Sequence, residues 1–169
     1  SAPASGATGL MDYECRFVAE ATNDQDDFVL GVKVPVTSLC PCSKAISDYG
    51  AHNQRGHIRM ELRPRLNRDG TPELVWFEEL VALAESCASA PVSPILKRPD
   101  ARHVTMQAYD NPVFVEDMVR NAARKLQDDE RVAWFRAKAV NQESIHNHDA
   151  FAALLLLPWV GTDRLKGAH

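Results

Sequence analysis

The chain has 169 residues, of which 45% are hydrophobic and 25% charged, a composition typical of a single folded domain with its own core. Its formal net charge of −4 disfavours a general nucleic-acid-binding protein. The longest apolar run, from Ala150 to Val160, is shorter than the ~20 residues of a membrane span, so we expect neither nucleic acid nor membrane among the partners. No secretory signal pattern precedes the first strand, and we expect a cytoplasmic protein.

Alternation of apolar and polar residues predicts strands in the first part of the chain. The predicted strands are Met11–Thr22, Phe28–Val36 and Ile58–Pro64. Asn23–Asp27 has the composition of a turn, so the first two strands form a hairpin. Ser38–Gln54 interrupts the alternation and predicts an ordered loop or a loop with one helical turn.

The second part of the chain changes to helical spacing. Trp76–Ala88 follows the i, i+3, i+4 pattern of an amphipathic helix, and Pro91–His103, with three prolines, predicts a loop. Asp110-Asn111-Pro112 is a typical helix start and predicts a helix to about Gln127 that buries Val115, Met118, Val119, Ala122 and Leu126. Arg131–Val140 predicts a strand, and Ala150–Leu157 fits either a helix or a strand.

These elements predict an α+β domain: an antiparallel sheet of two long hairpins with two helices on one face. The predicted domain spans residues 11–160. It follows a flexible, linker-like start (residues 1–10) that is rich in Ser, Ala, Gly and Pro, and it precedes a tail (residues 161–169).

Cys40 and Cys42 lie upstream of His52 and His57, and thiolates with imidazoles suit zinc or a similar transition metal. The spacing is not that of a zinc finger, and a buried cysteine beside solvent-facing histidines is the alternative. Glu143-Ser144-Ile145-His146-Asn147-His148-Asp149 places three kinds of ionisable group in seven residues. Such histidines can bind a metal or transfer protons, although Asn and Asp also suit a plain turn.

Charged residues elsewhere suggest a purine nucleotide. Glu116 follows the predicted helix start. A carboxylate there either interacts favourably with the helix dipole or accepts hydrogen bonds from the N1–H and N2–H₂ edge of guanine. Lys97 and Arg98 precede Pro99 and could hold phosphate. Five arginines and one acidic residue lie between Arg55 and Arg68, which suits a triphosphate or an ordinary solvated strand face.

Together these segments resemble the type IB GTP cyclohydrolase I family, in that family's order and spacing. The resemblance extends from about Ala4 to Phe151, and the cysteine segment is its most specific part. The matching segments are Val34–Lys44, Ile46–Arg55, Leu96–Asp100, Tyr109–Pro112, Phe114–Asp117 and Glu143–Asp149.

The resemblance implies the tunnelling fold and a homo-oligomer, with a tetramer expected and the active site at the subunit interface. It implies hydrolysis of the imidazole ring of GTP to 7,8-dihydroneopterin triphosphate and formate, in folate or pterin biosynthesis. Cys40 and His52 would bind a divalent metal, zinc or manganese with iron as a further candidate.

The remaining roles follow from the same motifs. Glu116 would anchor guanine, with Lys97 and Arg98 as further substrate-binding residues. His146 would transfer protons, supported by Glu143 and His148, and Cys42 is a neighbouring thiol that can pair with Cys40 when metal is absent.

Two departures from the family pattern stand out. The family has a metal-binding glutamate directly after Arg-Pro-Asp, where this chain has Ala101, so that Asp100 or His103 would have to substitute. The family's chains also carry a further segment in front of this region. Two other functions therefore remain as alternatives: a non-catalytic purine- or pterin-binding protein of the same fold, and a structural zinc or oligomerisation module.

Overall fold

The computed structural model describes residues 1–21 and 26–156. Most of the predicted turn at residues 23–27 lies outside these described residues, and so does all of the predicted tail at residues 161–169. The strands are β1 (Glu14–Ala21), β2 (Asp26–Leu39), β3 (Asn53–Pro64), β4 (Ala90–Pro91), β5 (Val132–Gln142) and β6 (Asp149–Leu156). The helices are α1 (Pro41–Ile46), α2 (Phe77–Glu85), α3 (Arg98–Asp110) and α4 (Val115–Asp128).

Five strands form a continuous antiparallel sheet in the order β1-β2-β3-β5-β6, and the short β4 pairs with β2 on the edge opposite β3, beyond the end of β1. The β2–β3 ladder runs from the pair Leu30↔Leu62 to the pair Leu39↔Asn53. The β3–β5 ladder continues the same rows from Gly56↔Asn141 onwards. The prediction of an antiparallel α+β domain is confirmed.

One face of the sheet is covered by helices, and its side chains form the core. Every second residue of β3 from Ile58 to Leu62 is fully buried, as period-two alternation requires. Helix α4 packs on this face through six buried residues. Five of them are the residues predicted to be buried, Val115, Met118, Val119, Ala122 and Leu126, and the sixth is Ala123.

The segment that fitted either a helix or a strand is the edge strand β6. Residues Phe135–Gln142 of β5 pair with β6 in an unbroken antiparallel register. Its alanines and leucines favour a helix by propensity, but a free strand edge on β5 offers backbone partners that override this preference.

Two predictions about the helices are wrong. The segment Pro91–His103 was expected to be a loop, but α3 begins inside it at Arg98. Its prolines lie before the helix or in its first turn, where a missing N–H breaks no helical hydrogen bond. The described residues therefore contain four helices rather than two.

The start of α4 was also misplaced. Asp110 ends α3, and Asn111 caps it while its side-chain amide donates to Ala88 O at 2.9 Å. Helix α4 begins three residues after Pro112, at Val115, with Phe114 as its N-cap residue. Glu116 nevertheless lies in its first turn, as predicted.

Residues 1–10 contain no helix or strand, but part of this segment is fastened to α3. The backbone N–H groups of Ala4 and Ser5 donate to Asp100 Oδ1, and the Ser5 hydroxyl donates to Oδ2. Ala2 is buried. No helix among the described residues is long and apolar enough to cross a membrane.

Candidate functional site at one end of the sheet

Two chain reversals meet at one end of the sheet: the β2–β3 connection and the β5–β6 connection. Cys40 N–H donates to His52 O at 3.2 Å, which adds one more pair beyond Leu39↔Asn53. Residues that face each other across antiparallel strands share a face of the sheet. The structure thus places Cys40 and His52 next to each other despite twelve positions of separation.

His52 also joins the two connections. Its Nδ1 is hydrogen bonded to Ser144 Oγ at 2.7 Å, and Ser144 belongs to the histidine-rich segment. A partner on Nδ1 fixes the ring orientation and leaves Nε2 as the atom available to a metal or a substrate. Beyond Ser144, the rings of His146 and His148 stack with centroids 5.2 Å apart, and both are exposed.

The cysteines lie at the start of α1. Cys40 is its N-cap residue, and its sulfur accepts a hydrogen bond from Ser43 N–H at 3.4 Å. Cys42 is exposed in the first turn, and both thiols are free. His57, two residues closer to the centre of β3 than Arg55, does not join them.

His57 instead lies on the open face of the sheet. It pairs with Pro35 and Val140, whereas Gly56 and Ile58 beside it face the helices. Burial lowers the pKa of His57, and the nearby charges of Lys33 and Arg59 lower it further. His57 is therefore separated from the cysteines by the sheet itself.

A layer of buried polar residues lies beneath the site on the helix-covered face. Gln54 Nε2 donates to Glu143 Oε1 at 2.9 Å, and Gln54 is 7% exposed. Asn141 Nδ2 donates to Ser38 Oγ at 3.1 Å, with both residues buried. These residues hold the base of the histidine-rich segment against the sheet.

The sequence patterns did not single out Ser38, Gln54, Asn141 and Ser144. A signal for two of them was present: Gln54 continues the buried row of Ile58 and Met60, and Asn141 continues that of Ala137 and Ala139. A polar residue at a buried position of an alternating strand requires a partner, and such positions can be searched for directly.

The predicted substrate-binding residues lie on the two long helices. Glu116 is exposed in the first turn of α4, close to the point where Val113 N–H donates to Leu39 O at 3.2 Å. Lys97 and Arg98 lie exposed at the start of α3. The other end of α3 contacts α1 through Lys44 and Tyr109, and a helix of this length spans about 18 Å. Lys97 and Arg98 are thus not at the α1 end of this helix.

Ala101 occupies the position where a third metal ligand is expected. It shares a face of α3 with Val104 and Ala108, at spacings of three and seven residues. That face packs beside Leu39, the neighbour of Cys40. Ala101 itself is exposed, about two helical turns before Ala108, and its methyl group offers no donor to a metal.

Neither suggested substitute can replace the missing ligand. Asp100 is fully buried, and both its oxygens accept hydrogen bonds, including one from Lys97 N–H at 2.9 Å. The Ser5 hydroxyl, followed by backbone N–H donors, holds the pKa of Asp100 well below its usual value. His103 lies about 200° around α3 from Ala101, on the side of Met106 and Gln107.

No group of three or more His, Cys, Asp or Glu residues that could hold a metal occurs within residues 1–21 and 26–156. Cys40 and His52 supply one sulfur and one nitrogen donor, whereas catalytic zinc sites usually have three protein ligands. The described part of this chain therefore does not by itself fit a complete metal centre.

The arginine-rich strip follows β3 across the open face of the sheet. Arg59 forms an ion pair with Glu14 at 2.6 Å, and Arg63 pairs with Asp27 at 2.9 Å. Glu61 is buried between Arg16 and Arg136. Three acidic residues thus neutralise part of the positive charge of this face. A triphosphate-binding role for this face stays a prediction.

The fold and the site define a class: an α+β domain whose antiparallel sheet carries thiol, imidazole and carboxylate groups at one end. The family of type I GTP cyclohydrolase folE2 matches residues 1–152. This chain belongs to that family.

Curated relatives agree with this assignment. A GTP cyclohydrolase FolE2 of Geotalea uraniireducens is 54% identical over 153 residues, covering 90% of this chain and 54% of the relative. Proteins of the same name from Akkermansia muciniphila and Geobacter sulfurreducens are each 53% identical, over 91% and 90% of this chain and over 57% and 56% of their own lengths. The chain thus spans about half the length of the curated relatives it matches.

Proposed function

We propose that this chain forms part of a GTP cyclohydrolase that opens the imidazole ring of GTP to give 7,8-dihydroneopterin triphosphate and formate, in folate or pterin biosynthesis. One observation carries the proposal. The backbone pairs Cys40 with His52, and His52 reaches Ser144, so that the thiol, the imidazole and the Glu143–Asp149 segment lie together at one end of the sheet.

The proposed roles follow the chemistry of each side chain. Glu116 accepts hydrogen bonds from guanine N1–H and N2–H₂, which fixes the orientation of the ring. His146 donates a proton to the ring nitrogen that leaves C8. His148, stacked on His146, and Glu143, held by Gln54, orient and support the proton-transferring group. Cys42 lies exposed beside the site, where it can pair with Cys40 when no metal is bound.

We propose that Cys40 and His52 bind a divalent ion. Zinc and manganese are the candidates, and iron is a further one. No chemical step is assigned to this ion, because Ala101 leaves the centre one donor short. Lys97 and Arg98 would meet the triphosphate only if it extends along α3 from the site, or if a second subunit presents them.

We further propose that the protein is of type IB and has the tunnelling fold. It would form a cytoplasmic homo-oligomer, a tetramer, with its active site at the subunit interface. In their support, each outer strand of the sheet pairs on one side only, since β1 contacts β2 and β6 contacts β5 among the described strands. Free strand edges are surfaces on which a second subunit can continue a sheet.

The experiment that tests the proposal is an assay of the protein with GTP and either Mn²⁺ or Zn²⁺, followed by oxidation and detection of pterin fluorescence. The variant Ala101→Glu is assayed in parallel, because it restores the donor type expected at this position. We expect product from Ala101→Glu and less from the wild type. Absence of product from both proteins, with metal content verified, would contradict the proposal.

The presence of Ala101 favours one alternative function: the protein would bind a purine or a pterin without catalysing a reaction. Calorimetry separates the two: this alternative predicts that GTP binds to both proteins and that neither forms product.

A further inference from the structure

We infer that Ser38 and Asn141 are positioning residues of the proposed site. Together with the Val113 carbonyl they form a buried chain of hydrogen bonds, which we call the β5–α4 link. It connects the strand that leads to Glu143 with the turn that leads to Glu116. The inference rests on the proposed function, because that function gives Glu143 and Glu116 their roles.

The link consists of two hydrogen bonds with a single direction. Asn141 Nδ2 donates to Ser38 Oγ at 3.1 Å, and Ser38 Oγ donates to Val113 O at 3.2 Å. A serine hydroxyl has only one proton to donate. Since Ser38 gives it to the Val113 carbonyl, Ser38 can only accept from Asn141, and this fixes the orientation of the Asn141 amide. Hydrogen bonds in such a chain polarise and strengthen each other.

Each end of the link lies within three residues of a proposed functional side chain. Asn141 precedes Glu143 by two positions, and Glu143 is held in turn by Gln54. Val113 precedes Glu116 by three positions, and its N–H donates to Leu39 O. Both the N–H and the C=O of Val113 are therefore bound to β2, which fixes the direction in which α4 begins.

The position of Asn141 is unfavourable for a polar side chain, because a buried acceptor without a partner is expected to cost free energy. Asn141 is 2% exposed, and its Oδ1 has no hydrogen-bond partner among the described residues. A Cβ at Gly56 would lie 2.4 Å from that oxygen, so the neighbouring strand has no side chain there. An apolar residue would continue the buried row of Ala137 and Ala139 without leaving an unpaired acceptor. The contribution of Asn141 is thus the fixed direction of its bond to Ser38.

Amide hydrogen exchange tests the link without GTP. In Ser38→Ala the Val113 carbonyl loses its donor, and we expect exchange at the amides of residues 113–118 to rise at least tenfold; Asn141→Ala raises it less. The control Ile58→Val removes a buried methyl group from the same sheet and leaves the link intact, so it does not produce this local rise. Equal exchange at residues 113–118 in Ser38→Ala and Ile58→Val would overturn the inference.

If Ser38→Ala does not fold, the existence of the link is tested on the wild type instead. NMR should then show a slowly exchanging Ser38 hydroxyl proton with a nuclear Overhauser effect to Val113, and a rapidly exchanging hydroxyl proton would overturn the link.

Calorimetry with GTP tests the positioning role. We expect wild type and Ile58→Val to bind alike and Ser38→Ala to bind about tenfold more weakly. Unchanged affinity in Ser38→Ala would overturn the positioning role. A wild type that binds no GTP would overturn the proposed function and with it this role, and the exchange data would still show whether the link exists.

Discussion

The two ends of the helix-covered sheet face differ in chemistry. Towards one end, β3 contributes Ile58, Met60 and Leu62, which are all fully buried and apolar. Towards the other end the same face contains Ser38, Gln54 and Asn141, which are buried but polar. The apolar end stabilises the fold through burial, whereas the polar end fixes the directions of a few side chains. Substitutions at the two ends should therefore have different consequences.

The largest expected effect is on stability, at the apolar end. Leu62→Ala removes a fully buried side chain, and we expect the free energy of unfolding to fall by about 2–5 kcal/mol. Chemical denaturation measures this loss. GTP affinity of the folded fraction should be unchanged, and a large loss of affinity would contradict the division between the two ends.

The next effect is on binding, at the polar end. Glu116→Gln removes a charged acceptor, and we expect GTP affinity to fall by roughly 1.5–3 kcal/mol, or about 10–150-fold. Its matched control is Asp117→Asn, an acidic neighbour in the same helical turn that pairs with Arg120. Calorimetry should show a loss in the first variant only; equal losses would mean that general negative charge, rather than guanine recognition, is being measured.

A gain of metal affinity is expected at the same end. Ala101→Glu adds a carboxylate at the exposed position where the family resemblance predicts a third ligand, so we expect Mn²⁺ or Zn²⁺ to bind at least about tenfold more tightly. Ala101→Gln has nearly the same shape without the charge and should give little gain. Competition with a coloured chelator measures the affinities. If the two variants bind alike, Ala101 does not face the metal.

The smallest effect lies away from both ends, where Tyr13 donates to Glu85 at 2.9 Å. Burial, followed by the hydrogen bond to this carboxylate and its charge, raises the pKa of Tyr13 to about 12. Tyr13→Phe should cost about 1 kcal/mol near neutral pH.

The pH dependence of this contribution has a definite sign. It is fully present below the unfolded pKa of about 10 and is lost as pH rises towards 12. The difference in melting temperature between wild type and Tyr13→Phe should therefore shrink over that interval. A constant difference would show that the hydroxyl does not bind Glu85.

Much of the fold could be predicted from local patterns. Alternation identified the long strands, and the spacing of Val115, Met118 and Leu126 identified the buried face of α4, because both patterns reflect burial on one side. Helix α3 was missed because its prolines are at the start, where a helix tolerates them.

The geometry of the site could be predicted less well from the sequence. The adjacency of Cys40 and His52 depends on the register of β2 with β3, and the separation of His57 from them depends on which face each residue occupies. Asp100 resembled a possible ligand in sequence, but three of its four hydrogen bonds come from residues 4 and 5, about 95 positions away. Such pairings are set by tertiary contacts rather than by local spacing.

We propose above all that the polar end of the sheet recognises guanine. Calorimetric titration of the wild type with GTP, and separately with ATP, tests it most directly, since adenine lacks the N1–H and N2–H₂ donors that Glu116 would accept. We predict that GTP binds with measurable heat and that ATP binds at least tenfold more weakly. Equal binding of the two nucleotides, or no binding of GTP, would contradict the account.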